Sequence, residues 1–379
     1  MKPATLEFLS QRFNWYYREH YLAMPPALQQ REWGFVFFGQ GQGMRMRRHL
    51  GFGSREECTD YIRSMAPAHA YYSTAYYSDP GAATMGEKGW TGADLIFDID
   101  ADHLVKGVAY DAMLARVKEE VEKLLAMLTD ELGFSRKSLT LVFSGGRGYH
   151  VHVRDPRVLG WESQERREVV DYLCATGLVP TSLFAGGRGG GGGWQGRVAA
   201  ALRDYADHLL ADGEKAARTH LLGIEGVGET YAGRFLAAVQ SEEFAAGGMP
   251  RNLVSSPVLH TILSEDGGEL VPLLKARAAL VDEPVTTDIK RLIRMPTSLH
   301  GGSGLRVVEV PLKELPDFDP LVDAVVFSER EVKVDAAFTL SMPILGNTYT
   351  VKKGTNLVPE ALAVFLCCRG IAEVGGGAR

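Results

Sequence analysis

The stretch "GADLIFDIDADHLVKG", residues 92–107, decides how this chain is read. An apolar run ends in three acids at every second position: Asp98, Asp100 and Asp102. In a strand alternate side chains share a face, so Asp98 and Asp100 point the same way, about 7 Å apart. Two carboxylates side by side in a half-buried place repel each other unless a cation sits between them. A strand running into a helix cap accounts for Asp102, but not for the other two.

The bulk properties narrow the options. The 379 residues are 45% hydrophobic and 23% charged, the make-up of a globular chain with material for two or three domains. No apolar run approaches the roughly 18 residues a membrane-crossing helix needs, so no membrane partner is expected. The opening "MKPATLEFLSQRFNWYYREH" has no apolar core followed by a small-residue cleavage site. Cys58, Cys174, Cys367 and Cys368 form no CxxC pair, and the vicinal two read as buried thiols. These features predict a reduced, cytoplasmic protein without a cysteine zinc site. The net charge of −6 argues against general phosphate neutralisation. The stretch "GMRMRRHLGF" nevertheless concentrates Arg45, Arg47, Arg48 and His49, as a solvated strand edge or as a local basic patch.

Along the chain, "EWGFVFFG" and "MRMRRHLGF" predict two strands joined by the Gly-Gln turn "GQGQG". Ser54 and Glu57 make a capping box that opens a helix over "SREECTDYIRSM". After the strand "DLIFDID", the apolar spacing of "YDAMLARVKEEVEKLLAMLTDELGF" predicts an amphipathic helix ending at Gly133. "SLTLVF" and "YHVHVRD" are strands either side of "SGGRG". From about residue 155 the periods turn helical, with a glycine run in "FAGGRGGGGGWQG" that predicts a flexible loop. Strand-like segments return after about residue 253. The stretch "LLGIEGVGETYAGRFLAAV" is either a packed helical hairpin or a helix-hairpin-helix whose Gly-x-Gly turn faces a DNA phosphate.

Three constellations carry chemistry. Asp98 and Asp100 suit hard divalent ions such as Mg²⁺ or Mn²⁺, which keep water and accept substrate phosphates. Two such ions, about 3.5–4 Å apart, are the device by which polymerases align a hydroxyl with a phosphate. Phosphatases of the dehalogenase type also begin hhhDxDGT, although "FDIDADH" lacks the Gly-Thr. Ser144-Gly145-Gly146-Arg147-Gly148 is a slim turn whose N–H groups and Arg147 can receive a phosphate; a plain hairpin turn is the alternative. His150 and His152 share one face of the following strand. The third, "LVDEPVTTDIKRLIRMPTSLHGGSGLRV", brings Asp282, Asp288, Lys290, Arg291, Arg294, His300 and Arg306. It reads as a further metal carboxylate with phosphate-binding cations, or as a salt-bridged surface helix and loop.

In this order the three motifs resemble the signatures of the archaeo-eukaryotic primase small catalytic subunit, of the archaeal type. "REWGF", "RRHLGF" and "AYYSTAYYSDP" are similar to that family's N-terminal region, so the resemblance spans roughly residues 10–155 and 255–310. It implies an α+β primase-polymerase core, discontinuous over 1–154 and 254–379, with a mostly helical insert at 155–253. Asp98, Asp100 and Asp282 match the catalytic, metal-binding aspartates for two Mg²⁺ or Mn²⁺ ions. Ser144, Arg147, His150, Arg294 and His300 match nucleotide-binding positions, and Arg48 matches one for the triphosphate tail. Asp288 is expected in an ion pair with a neighbouring Arg.

The chain departs from the family in two places. The interval after the first motif lacks the Cys/His knuckle of many relatives, so no structural zinc is expected. Gly302-Ser303 stands where relatives often carry Lys-Thr. The implied function is synthesis of short RNA primers on single-stranded DNA from nucleoside triphosphates, with a large subunit as partner. A dehalogenase-type phosphatase with Asp98 as nucleophile and a non-catalytic nucleic-acid-binding subunit remain as alternatives.

Overall fold

Short buried strands, each too narrow to stand alone, build the core in pairs. The computed structural model describes residues 1–39, 46–101, 108–184, 192–264 and 268–375. Arg45, the "GQGQG" turn beyond Gly39, Asp102 and most of the glycine run lie outside them. In chain order the strands are β1 (Trp33–Val36), β2 (Arg47–Leu50), β3 (His69–Ser73), β4 (Ala75–Tyr77) and β5 (Trp90–Ala93). They continue as β6 (Leu95–Asp100), β7 (Leu139–Phe143), β8 (Gly148–Val153), β9 (Leu292–Arg294) and β10 (Val308–Val310).

Two four-stranded antiparallel sheets result, ordered β2-β1-β3-β9 and β10-β7-β8-β6. The register of the second pairs Asp98 with His150 and Asp100 with Gly148. Trp33, Phe35, Tyr72, Phe97 and Tyr149 are fully buried in this part of the molecule. The small hairpin β4–β5 links the sheets through the chain just before the acids. Beyond β10, β11 (Glu331–Ala336), β12 (Leu340–Ile344), β13 (Asn347–Val351), β14 (Gly354–Pro359) and β15 (Ala372–Val374) form a three-stranded sheet, β14-β11-β15, and the β12–β13 hairpin. A buried C-terminal helix, Glu360–Cys368, runs between β14 and β15.

One compact unit comprises residues 1–122, 134–168 and 280–379; a second comprises 123–133 and 169–279. The helical unit thus runs later than the span 155–253 and takes in the end of the preceding helix. Within it, Leu202, Phe235 and Leu253 are fully buried. Arg197 closes on Glu131, which also accepts the Tyr172 hydroxyl at 2.7 Å. Two helices, Gly193–Leu210 and Glu214–Leu222, are separated at Gly213, which takes a φ of 90°. The hairpin that follows, Glu214–Leu222 to Glu229–Val239, buries Leu221, Val227 and Phe235, so packing alone accounts for its spacing.

Local signals act as expected at the Ser54 cap, whose Oγ accepts the Glu57 N–H at 3.2 Å. Glu57 returns the bond to Gly53, one residue earlier than the usual capping box. The helix Tyr110–Ala126 does not run straight to Gly133; its last turn, Met127–Glu131, widens to the π form. Among the described residues, no helix is long and apolar enough to cross a membrane.

The first sheet is tied to the start of β6 by charge. Arg31 and Asp94 are both fully buried and meet at 2.9 Å. Arg31 also donates to the carbonyls of Ser73 and Thr74 and lies 3.6 Å from the Tyr76 ring centre. Asp94 accepts the Tyr76 hydroxyl at 2.6 Å. Removing one member strands the other in a medium of low dielectric. Asp94→Ala is expected to cost about 3–5 kcal/mol of unfolding free energy in urea titrations, and Arg31→Met/Asp94→Leu markedly less than the two single changes combined.

Candidate active site

Residues of both sheets line a cleft of about 540 Å³. Asp98 and Asp100 from β6, Ser144 and Arg147 from the β7–β8 turn, and His150 from β8 line it, together with Arg48 from β2, Arg294 from β9 and His300 beyond β9. Eight of the nine residues singled out in the sequence therefore share one cleft. The ninth, Asp282, is not among its lining residues, but its backbone N–H donates to the Asp98 carbonyl at 2.9 Å. It opens the short helix Glu283–Thr287.

Like charge and burial set the state of the acids. The Asp98 carboxyl is pushed up to about 7, first by burial, then by Asp100 and Asp282, against the pull of Arg291 and Arg294. Asp282 thus lies close enough to act on Asp98. Arg147 Nε stands 4.0 Å from the Asp100 carboxylate. The His150 Nε2 lies 3.5 Å from Asp98, yet burial and two arginines hold this ring down to about 3, so the pair is not ionic at neutral pH.

Glycine makes the turns interlock. A Cβ on Gly145 would lie 2.8 Å from His300 Cβ, and one on Gly146 would lie 3.0 Å from its Nε2. Ser303 Oγ reaches the Gly145 carbonyl, and Tyr110 donates its hydroxyl to the Gly146 carbonyl. Ser144 differs from expectation: its Oγ accepts the Gly146 and Gly148 N–H groups at 3.3 and 3.4 Å, so it shapes the turn from within. The segment leading to His300 is held by the N-terminal helix. Tyr16 donates to the Thr297 carbonyl at 2.8 Å, and the Leu299 N–H donates to the Tyr17 hydroxyl at 3.1 Å.

Several residues that the motifs did not reveal set the cations. Glu32, fully buried, accepts Arg48 through both oxygens at 3.0 and 3.3 Å, and buried Lys88 lies 3.9 Å from it. His69 Nδ1 accepts Arg294 Nη1 at 2.7 Å and the Gly301 N–H at 3.2 Å. Two donors converging on Nδ1 leave the ring proton on Nε2. Burial, then Arg294, holds His69 down to about 3, so it stays neutral. Tyr71, opposite Arg294 in the β3–β9 register, donates no charge but accepts a second bond from it at 2.9 Å. The sequence shows Glu32 and His69 only as ordinary strand residues near aromatic runs. Asp288 is corrected: among the described residues it has no Arg ion pair, and its carboxylate accepts the Lys290 N–H at 2.9 Å.

The donor set can be tested against a divalent metal. Among the described residues, no three His, Cys, Asp or Glu side chains form a closed ligand group. Asp98 and Asp100 nevertheless offer hard oxygens, with like-charge strain that a cation would relieve. One or two carboxylates with water and substrate phosphates suffice for Mg²⁺ or Mn²⁺, so the residues fit an ion that is shared with substrate.

Residues 97–312 match a family model described as DNA primase small subunit. The chain is 57% identical to the DNA primase small subunit PriS of Methanoregula boonei, over 99% of this chain and 100% of that one. It is 55% identical to the protein of that name from Methanosphaerula palustris, over the full length of both, and 40% identical to that of Methanosarcina acetivorans, over 99% of this chain and 98% of that one. The chain therefore belongs to the DNA primase small subunit family. As a member it is an enzyme, a DNA primase serving DNA replication, which sets aside the phosphatase and the non-catalytic scaffold.

Because its carboxyl titrates near 7 in the fold and near 3.8 when free, Asp98 favours folding while protonated and loses that contribution as the pH rises through about 7. Asp98→Asn is expected to raise the thermal midpoint of the metal-free protein by a few degrees at pH 8 and by clearly less at pH 5, because the contribution is complete only below the free value of 3.8 and falls away up to about 7. Differential scanning calorimetry at the two pH values checks this.

Proposed function

We propose that this chain performs template-directed nucleotidyl transfer, starting and briefly extending RNA primers on single-stranded DNA. The observation that carries the reading is the juxtaposition of a strained acid pair, Asp98 and Asp100, with Arg147, Arg294 and Arg48 in one cleft. Acids that repel in the absence of ligand face cations of the kind that hold a triphosphate.

Asp98, Asp100 and Asp282 would hold two Mg²⁺ or Mn²⁺ ions. When bound, such ions lower the pKa of an attacking 3′-hydroxyl and offset charge on a leaving pyrophosphate. Arg147 and Arg294 grip phosphate oxygens through their guanidinium forks and stabilise the charge that spreads over them during transfer. Arg48, held by Glu32, reaches the same cleft for the triphosphate tail. Neutral His150 and His300 offer hydrogen bonds rather than charge, so they orient the nucleotide. Ser144 and the two glycines keep the turn slim enough for a phosphate to approach Arg147.

The net charge of −6 gives the chain little general affinity for a polyanion. A primer also begins with two free nucleotides, and the second needs a site of its own. A large subunit, the partner implied by the small-subunit name of its relatives, would supply this. Adding that subunit is expected to raise the rate of dinucleotide formation on single-stranded DNA far more than the rate of extending a supplied primer. Equal rises in both would overturn this division of labour.

Asp98→Ala combined with Asp100→Ala is expected to lower nucleotide incorporation by about a thousandfold or more, the several kcal/mol that metal ligation contributes at such a centre. Binding of single-stranded DNA should stay within about twofold of wild type. Gel-resolved primer synthesis with ribo- and deoxyribonucleotides, in manganese or magnesium, checks the first expectation, and fluorescence anisotropy checks the second.

A further inference from the structure

Two of the cations in the cleft, Arg48 and Arg369, belong to none of the three motifs, and Arg369 was singled out by no sequence signal. Arg369 is the residue that ends the C-terminal helix, more than sixty positions beyond His300, yet it lines the cleft beside Gly302. The packing shows how it arrives there. Gly304 has a φ of 72°, and a Cβ on it would lie 2.4 Å from Val364 Cγ1 and 3.7 Å from Cys368 Sγ. The turn that carries His300 is thus seated on the last turns of the helix with no side chain between them. Any displacement of the helix end relative to His300 would have to open that contact.

The position suits a cation awaiting an anion. The Arg369 N–H donates to the Phe365 carbonyl at 3.0 Å, which closes the helix at its carboxyl end, where positive charge is favoured. Its guanidinium lies 5.3 Å from the ring centre of Tyr110, whose hydroxyl is bonded to the Gly146 carbonyl. The side chain is therefore set against the same turn that presents Arg147. Among the described residues no carboxylate forms an ion pair with it, whereas Arg48 is engaged by Glu32. Its charge also helps to hold His300 neutral. The Gly301-Gly302-Ser303-Gly304 turn has no cation of its own, so this wall of the cleft takes its positive charge from Arg369.

We propose that Arg369 is a phosphate-binding residue of the nucleotide site, donating from its guanidinium to the triphosphate of the incoming nucleotide at the side of the cleft lined by Gly302. This rests on the functional reading above. The shared chemistry is phosphate, which a nucleoside triphosphate and a nucleic-acid backbone both offer, and the test separates them.

Arg369→Ala and Arg369→Gln, the latter keeping most of the stem that covers Tyr110, are assayed by primer extension with Arg147→Ala as the reference. The KM for nucleotide is expected to rise about tenfold in both Arg369 variants with kcat within about twofold, as for a lost charge-assisted hydrogen bond made in ground and transition states alike. Inhibition by inorganic tripolyphosphate should weaken by a similar factor, the Kd for primed template should not change, and Arg369→Lys should recover part of the loss. An unchanged KM and unchanged tripolyphosphate inhibition would overturn the proposal, as would a loss confined to template binding. If Arg147→Ala raises KM while the Arg369 variants do not, only the assignment of Arg369 fails. If wild-type protein incorporates no nucleotide, the reading of the whole cleft fails with it.

Discussion

Arg31 and Asp94 meet with no access to water, and the geometry of the cleft depends on that meeting. Arg31 lies two residues before β1, a strand of the first sheet's aromatic core, while Asp94 is the residue before β6. Arg166 adds bonds to the carbonyls of Ala93 and Asp94, and Arg154 lies 3.5 Å from the same carboxylate. The start of the acid-bearing strand is thus fixed by charge to the sheet that carries Arg48 and Arg294. Such a pair adds little net stability over apolar residues of equal volume, but it tolerates few alternative geometries. Four residues further on, the strand delivers Asp98 to a defined place.

Charge in the cleft is segregated by residue type. His69, His150 and His300 are all held in the neutral form, each chiefly by burial and then by Arg294. Positive charge there resides on arginine and lysine, whose protonation does not change over the working range of pH. The histidines serve as fixed hydrogen-bonding frames: His69 aims Arg294 and anchors the Gly301 turn at once. Among the groups at the cleft floor, Asp98 is the one whose carboxyl is drawn toward neutrality, by burial and its acidic neighbours.

Much of this arrangement was legible in the sequence because its signals are local. The two-residue period placed Asp98 with Asp100 and His150 with His152; Ser54 marked its helix start; the slim turn 144–148 was plain from its glycines. The α+β class was what the resemblance to the primase small subunit implied. What escaped was set by partners distant in sequence. Glu32 becomes an arginine holder only when β1 and β2 pair, and His69 acquires its two donors only when β9 and the Gly301 turn arrive beside β3. Asp288 was misjudged because a short acid two residues before a lysine can satisfy itself on the backbone as readily as on a cation.

The N-terminal helix has a consequence for how the molecule is made. Tyr17 touches the segment before His300, and Thr5 Oγ1 accepts the Val374 N–H at 2.9 Å. These contacts join residues separated by nearly three hundred and nearly four hundred positions. During translation the first helix can pack early against Phe38 and the segment near Arg63, but its contacts to the segment before His300 and to Val374 form only when almost all of this sequence has left the ribosome. The His300 wall of the cleft is thus completed late, after the acid-bearing strand that faces it.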